Sequence, residues 1–156
     1  MNLARLLIVV VMASAMTDVK AQGKTTEPSC TSGPYRLKLP KSYKQLRGIG
    51  KLLRERVRNT EGNMTQRELR FNGLELIVLS PSDKLNEYVV SRAVVSSANW
   101  RITGPLRVGT WARIALKGLQ PKELPSNGEL EFNGDKDSIR VSLAHGRILD
   151  FEYSCG

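Results

Sequence analysis

Glu68-Leu69-Arg70-Phe71-Asn72-Gly73 returns 61 residues later as Glu129-Leu130-Glu131-Phe132-Asn133-Gly134, with five of the six letters unchanged. The same offset pairs Gly48 with Gly109, and each of these glycines stands ahead of an apolar pattern with helical spacing. A word that recurs at a fixed distance indicates a duplicated supersecondary unit. We therefore predict one small unit that is built twice along the chain.

Each copy of the hexapeptide begins a run of predicted antiparallel strands. Alternating apolar residues and β-branched residues, separated by turn residues such as Asn-Gly, are typical of strands joined by short turns. The first unit has strand patterns over residues 68–79, interrupted at Asn72-Gly73, and over residues 88–96. The second unit has strand patterns over residues 129–134, 138–143 and 147–153.

A helix is predicted ahead of the strands in each unit. On a helical wheel the residues from Ser42 to Arg58 separate into a basic stripe and an apolar side. The second helix is predicted over residues 111–119 with Thr110 as its N-cap, and Trp111, Ile114, Ala115 and Leu119 have the spacing of core residues. The basic stripe contains Lys44, Arg47, Lys51, Arg54 and Arg58, and the apolar side contains Leu46, Ile49, Leu52, Leu53 and Val57.

These patterns predict an α+β fold. We expect two tandem helix-plus-antiparallel-strand units packed as one domain, with a sheet that helices cover on one face. The expected divisions are a signal peptide at residues 1–21, a lead-in segment at 22–41, the first α+β repeat at 42–103 and the second at 104–156.

The first 21 residues have the features of an export signal. Arg5 precedes an apolar run over residues 6–16, and Val19-Lys20-Ala21 places small side chains where a signal peptidase cleaves. The run is too short to cross roughly 30 Å of hydrocarbon. We therefore expect Gln22 to begin an exported protein in the periplasm or outside the cell.

Cys30 and Cys155 are the two cysteines of the chain. In an oxidising compartment their pairing is the simplest interpretation, and it would join the two ends of the exported protein. A reactive thiol or a metal site is the alternative, but His145 is the single histidine and a metal would lack ligands. We expect a disulfide, and we expect no metal or other cofactor.

The positive charge is concentrated in one stretch. The formal net charge is +9, and residues 36–58 hold nine Lys or Arg but only Glu55 as an acid. Such a stretch attracts acidic surfaces and accelerates association with them. An acidic protein partner, or an anionic envelope surface of lipid or cell-wall polymer, suits an exported protein better than nucleic acid does. A solvated basic face with no partner remains open, and unpaired sheet edges also make a homodimer plausible.

One segment of the second unit resembles a known family. Leu106-Arg107-Val108-Gly109-Thr110, followed by a short helical pattern, Gly118, Pro121 and three strands, resembles the unit of the small outer-membrane-assembly lipoprotein E family. The doubled form is similar in plan to secreted β-lactamase inhibitor proteins. The resemblance implies small helix-plus-sheet units without catalysis of their own, which present a sheet face or loops to a protein. It transfers no individual residue as a site.

Residues with catalytic chemistry are few. A small hydrolase that uses Asp150, Glu152 or His145 is the enzymatic hypothesis, but His145 lies in a predicted turn and the two acids fit a solvated sheet face. The acids near Asp135 begin like a calcium loop, yet the later ligands are missing. Asn63 fits a glycosylation acceptor. We therefore expect a non-enzymatic binding protein, of the inhibitor or immunity type, that binds through the basic stripe or a sheet face.

Overall fold

A computed structural model describes residues 26–60 and 62–156 of this protein, so the predicted signal peptide lies outside the described residues. The described part is mainly β-structure. Its helical elements are α1 (Tyr43–Arg47), α2 (Ala112–Ala115) and a single 3-10 turn (Lys117–Leu119). Its strands are β1 (Leu52–Thr60), β2 (Met64–Phe71), β3 (Leu74–Pro81), β4 (Val89–Val95), β5 (Gly128–Asn133), β6 (Ser138–Ala144) and β7 (Arg147–Ser154).

The seven strands form one antiparallel sheet with the order β1-β2-β3-β4-β7-β6-β5. The sheet has two corresponding halves that meet where β4 pairs with β7. One half contains β2, β3 and β4, and these correspond in order to β5, β6 and β7 of the other half. The two copies of the hexapeptide therefore lie at equivalent places, in β2 and in β5. The halves differ because β1 pairs with β2, whereas β5 is at the sheet's edge.

The sheet has one buried face and one polar face, because successive side chains of a strand point to opposite sides. Strand β3 shows the alternation most clearly, since Leu74, Leu76 and Val78 are buried while Glu75 is exposed. We call the buried side the inner face and the other side the outer face. The inner face carries Leu69 and Phe71 of β2, Ala93 and Val95 of β4, Ile139 and Val141 of β6, and Phe151 and Tyr153 of β7.

The predicted α+β fold class, with a sheet covered by helices, is wrong. α1 has five residues and α2 has four, so helices are too short to cover a seven-stranded sheet. The apolar residues that pack with the inner face come instead from the irregular segment at residues 30–39, from Leu46 of α1, and from residues 102–119, which include α2 and the 3-10 turn. The fold is a predominantly β domain.

The long helix expected from Ser42 to Arg58 is also wrong. The Ser42 side chain accepts a hydrogen bond from the Gln45 N–H and caps α1, but the Gly48 N–H closes the helix one residue after Arg47. Beyond Gly50 the arginines alternate, at Arg54, Arg56 and Arg58, which is the period of a strand. Residues four apart lie together in a helix and also share a face in a strand. The helical wheel therefore assigned a helix to residues that form strand β1.

The second predicted helix is shorter than expected. It begins after Trp111, whose side chain does not cap it, rather than after Thr110. Ala115 and Leu119 are buried as the spacing predicted, but Trp111 and Ile114 are exposed. A helix of one turn presents few residues to the sheet, so the remaining positions of the apolar pattern face solvent.

The predicted disulfide between Cys30 and Cys155 is confirmed, with the two Cα atoms 6.0 Å apart. It is compatible with an oxidising compartment. Buried tyrosines strengthen the same attachment of the N-terminal segment to the sheet. The Tyr153 hydroxyl donates a hydrogen bond to the Tyr35 carbonyl, and the Tyr35 hydroxyl donates one to the Ala115 carbonyl. Among the described residues no helix has the length and apolar character needed to cross a membrane.

Candidate binding surface

A cluster of positive charge lies on the outer face of β1 and β2. Leu53 is an extra residue opposite β2, where the register shifts between Leu52 and Arg54. This bulge places Leu52 opposite buried Phe71 and turns Arg54 to the outer face opposite Arg70. Arg56 and Arg58 follow at alternate positions. We call Arg54, Arg56, Arg58 and Arg70 the arginine face.

Part of the arginine face borders a shallow concavity of about 210 Å³. This volume is below the ~300–1,000 Å³ of typical small-molecule pockets, so the concavity suits individual side chains better than a whole ligand. Its charged lining has more arginines than acids. These side chains are Arg54, Arg56, Arg70, Arg92, Glu68 and Glu75.

The chain's own acids neutralise only part of this charge. The Arg70 guanidinium lies 2.6 Å from a Glu75 carboxylate oxygen, and the Arg58 Nε lies 3.8 Å from one of Glu68. Arg54 and Arg56 have no carboxylate within ion-pair distance in the part of the chain that the structure describes. These two side chains carry the uncompensated charge of the surface.

The inner side of β1 is attached to α1 by a polar network. The Tyr43 hydroxyl donates a 2.5 Å hydrogen bond to Glu55, and the Arg47 Nε lies 3.0 Å from the other Glu55 oxygen. Burial raises the pKa of Tyr43, and the hydrogen bond to Glu55 raises it further, so the hydroxyl stays protonated and keeps donating. Arg67, only 7% exposed, stacks 4.4 Å from the Tyr43 ring centre. The network anchors β1 to α1 on the inner face of the sheet.

The five predicted basic site residues do not form one stripe. Lys44 and Arg47 lie on α1, and Lys51 lies in the connection to β1. Arg54 and Arg58 lie on the outer face of β1, as given by their partners in β2. Whether any of the five binds a partner stays a prediction. Arg56 was missed, although the alternation of 54, 56 and 58 could have identified it.

Of the three residues of the hydrolase hypothesis, Asp150 and Glu152 make side-chain contacts within the sheet, and His145 lies in a turn. His145 has a φ of 51° in the β6–β7 turn, and its backbone N–H donates a hydrogen bond to the Asn127 side chain. Asp150 accepts a hydrogen bond from the Ser142 hydroxyl. Glu152 accepts two hydrogen bonds from Arg92, and these lower the pKa of Glu152. A carboxyl that stays ionised is a poor proton donor at neutral pH.

One group of potential metal ligands occurs among residues 26–60 and 62–156, and it has a structural role. It consists of Cys30, Cys155 and Asp137. The two sulfurs are bonded to each other, so neither is a thiolate ligand. The Asp137 oxygens accept hydrogen bonds from the backbone N–H groups of Cys30 and Gly156. Asp137 therefore holds the backbones of Cys30 and Gly156 together beside the disulfide.

No family model, curated protein or solved structure matches this chain. The resemblance to the outer-membrane-assembly lipoprotein E family and to β-lactamase inhibitor proteins accordingly stays a prediction.

Proposed function

We propose that this protein is an exported, non-enzymatic binding protein of the inhibitor or immunity type, which engages an acidic protein partner through the arginine face. The observation that supports this most is the pair Arg54 and Arg56, exposed on one strand and without a carboxylate partner among the described residues. The disulfide is compatible with the exported location that the proposal includes.

The chemistry of the arginine face favours carboxylates. A guanidinium is planar and forms two parallel hydrogen bonds to a carboxylate, so it adds geometric specificity to the charge attraction. Arg92 and Glu152 form such a pair within this same sheet, with distances of 2.7 and 2.9 Å. Arg54 and Arg56 have the same capacity available for an acidic surface of another protein.

The fixed geometry of the arginine face also favours a protein partner over a basic surface that meets only solvent and counterions. Every second side chain of a strand points to the same face, so the arginines of β1 have a fixed spacing. Strand β1 is itself anchored to α1 through Glu55. Positive charge that is held in position lowers the entropy lost on binding and steers an acidic partner into one orientation. A disordered basic segment would provide the charge without this orientation.

The test compares two double variants of the disulfide-bonded chain that lose the same charge. Arg54→Gln/Arg56→Gln removes the uncompensated pair, and Arg36→Gln/Arg101→Gln removes two exposed arginines elsewhere as the matched control. Each form is immobilised, exposed to envelope extract at low salt and eluted with a salt gradient. We expect an acidic protein that the wild type and the control retain and that the Arg54/Arg56 variant releases at least tenfold more readily.

Two results would overturn the proposal. One is that no protein is retained at low salt. The other is that both variants retain the same proteins equally well. Vesicles with and without anionic lipid, and cell-wall polymer, are tested beside the extract. Retention on these materials that depends on Arg54 and Arg56, with no protein partner, would reassign the surface to an anionic envelope component.

A further inference from the structure

Strand β1 lies at the edge of the sheet, and no other described strand pairs with its outward side. It is nine residues long, which is more than any other strand of the sheet. An edge strand exposes backbone N–H and C=O groups that can pair with another chain. The edge of β1 is therefore a template for an added strand.

Two apolar side chains of β1 are exposed to solvent at this edge. Leu53 is 55% exposed and Val57 is 56% exposed, although Val57 lies on the inner face, opposite Arg67. The outer face carries arginines at the alternate positions. An added strand would cover Val57 on one side and place its own side chains beside Arg54, Arg56 and Arg58 on the other.

We propose that the acidic partner docks as an extended segment, added as a further strand to the outward edge of β1. This inference rests on the proposed function and specifies how the partner binds. Backbone hydrogen bonds hold the added segment, and its side chains provide specificity where they lie across from those of β1. The arginines then select carboxylates directly across from them.

The geometry determines the sequence pattern of the segment. Alternate residues of a strand are ~6.5–7 Å apart and point to the same face. The partner should therefore carry acids at every second position, to face Arg54, Arg56 and Arg58. The positions between them should be β-branched or apolar, because they lie on the side of Val57 and enter the inner face.

A second copy of this chain is a less suitable occupant. Two β1 strands that pair antiparallel, with both outer faces on the same side, would place arginines beside arginines. Strand β5 does carry Glu129 and Glu131 on an edge, but β1 and β5 run in the same direction within the sheet. With the inner faces on the same side, their pairing would be parallel and head-to-tail, so it would form a ring or an open filament rather than a two-fold dimer.

The test uses synthetic peptides and the full disulfide-bonded chain. The probe is a nine-residue peptide with glutamates at alternate positions and threonines between them. Two further peptides carry N-methyl groups, one on all glutamate amides and the other on all threonine amides. Alternate N–H groups of a strand point to opposite edges, so only one methylated peptide should lose the hydrogen bonds to β1.

We expect the unmodified peptide and one methylated peptide to bind with similar affinity and the other to bind at least tenfold more weakly. Amide hydrogen exchange should slow at alternate residues of β1 in the complex and stay unchanged in β5. A peptide in which glutamines replace the glutamates should also bind at least tenfold more weakly.

Three results would overturn the inference. If both methylated peptides bind as well as the probe, recognition is through charge alone, and the proposed function stands without strand addition. If the probe does not bind while a captured protein still depends on Arg54 and Arg56, the partner uses another geometry. If the chain self-associates through β1 and Glu129→Gln/Glu131→Gln abolishes the association, the edge belongs to a second copy.

Discussion

The two copies of the repeated hexapeptide form strands of the same sheet, yet their burial is different. In β2, Leu69 is 1% and Phe71 is 2% exposed, whereas Leu130 and Phe132 in β5 are only partly buried. Phe71 is covered by Trp100, with ring centres 5.5 Å apart, and β2 lies between two other strands. The hexapeptide thus specifies a strand, and the neighbouring elements decide how much of it becomes core.

The Asn-Gly pairs that end the two copies also differ. Gly73 has a φ of +75° in a two-residue turn from β2 to β3, a conformation that favours glycine. Gly134 begins a wider loop, where its N–H donates to the Asp137 carbonyl and its Cα lies against the Pro28 carbonyl. The second loop is therefore packed against the N-terminal segment, whereas the first is packed against residues 96–100, where the Asn72 carbonyl accepts a hydrogen bond from Trp100 and the Gly73 carbonyl accepts one from Ser96.

Removing the disulfide should have the largest effect on stability and should destabilise the second copy more than the first. Cys30→Ser/Cys155→Ser opens a link between residues 125 positions apart, which the chain-entropy model values at roughly 4–5 kcal/mol. The loss should fall on the second copy, because Cys30 and Gly156 both donate to Asp137 beside that loop. Urea unfolding measures the total, and hydrogen exchange should accelerate more in the β5–β6 loop than in the β2–β3 turn. Equal acceleration in both turns would contradict this account.

Truncation of the two equivalent phenylalanines tests the difference in burial directly. Phe71→Ala should lower the free energy of unfolding by about 3–5 kcal/mol, as for a fully buried ring that leaves a cavity. Phe132→Ala should lower it by only about 1–2 kcal/mol, because the ring is already in partial contact with water. Chemical denaturation of the two variants gives the values, and each serves as the control for the other. Similar losses would show that the edge copy is as well packed as the central one.

The alternating strands were the most predictable part of this fold. The predicted limits of β6 and β7 lie within one residue of those in the structure, since a period of two bounded by turn residues has few other interpretations. The predicted disulfide is confirmed, and it was predictable because two cysteines permit one intramolecular pairing. These features depend on residues that are close in sequence or few in number.

The candidate site was harder to predict for a physical reason. Arg54 and Arg58 are four residues apart, a spacing that places side chains together both in a helix and on a strand. Arg56, which lies between them, distinguishes the two structures, because it shares their face only in a strand. The bulge at Leu53 turns Arg54 to the outer face, and this bulge depends on the pairing of β1 with β2. Sequence periodicity does not reveal a bulge, because the bulge is a property of two strands together.

The smallest predicted effect concerns the junction of the two halves. Arg92 of β4 holds Glu152 of β7 through two hydrogen bonds, which lower the pKa of Glu152 below its usual range. A carboxyl with a lowered folded-state pKa adds stability above its unfolded-state pKa, and this is lost as pH falls through the folded value. Because both side chains are partly exposed, we expect Glu152→Gln to cost less than about 1 kcal/mol at neutral pH.

The pH dependence of stability distinguishes the contribution of the Arg92–Glu152 pair from that of the other acids. The stability difference between the wild type and Glu152→Gln should shrink as pH falls from about 5 to about 3, because protonation removes the same ion pair in the wild type. Glu87→Gln, which removes an exposed acid 3.8 Å from Lys84, is the matched control for lost charge. A double-mutant cycle with Arg92→Gln isolates the pair. If the difference stays constant across this range, the ion pair does not hold the two halves together, and the β4–β7 pairing relies on its backbone hydrogen bonds and buried side chains.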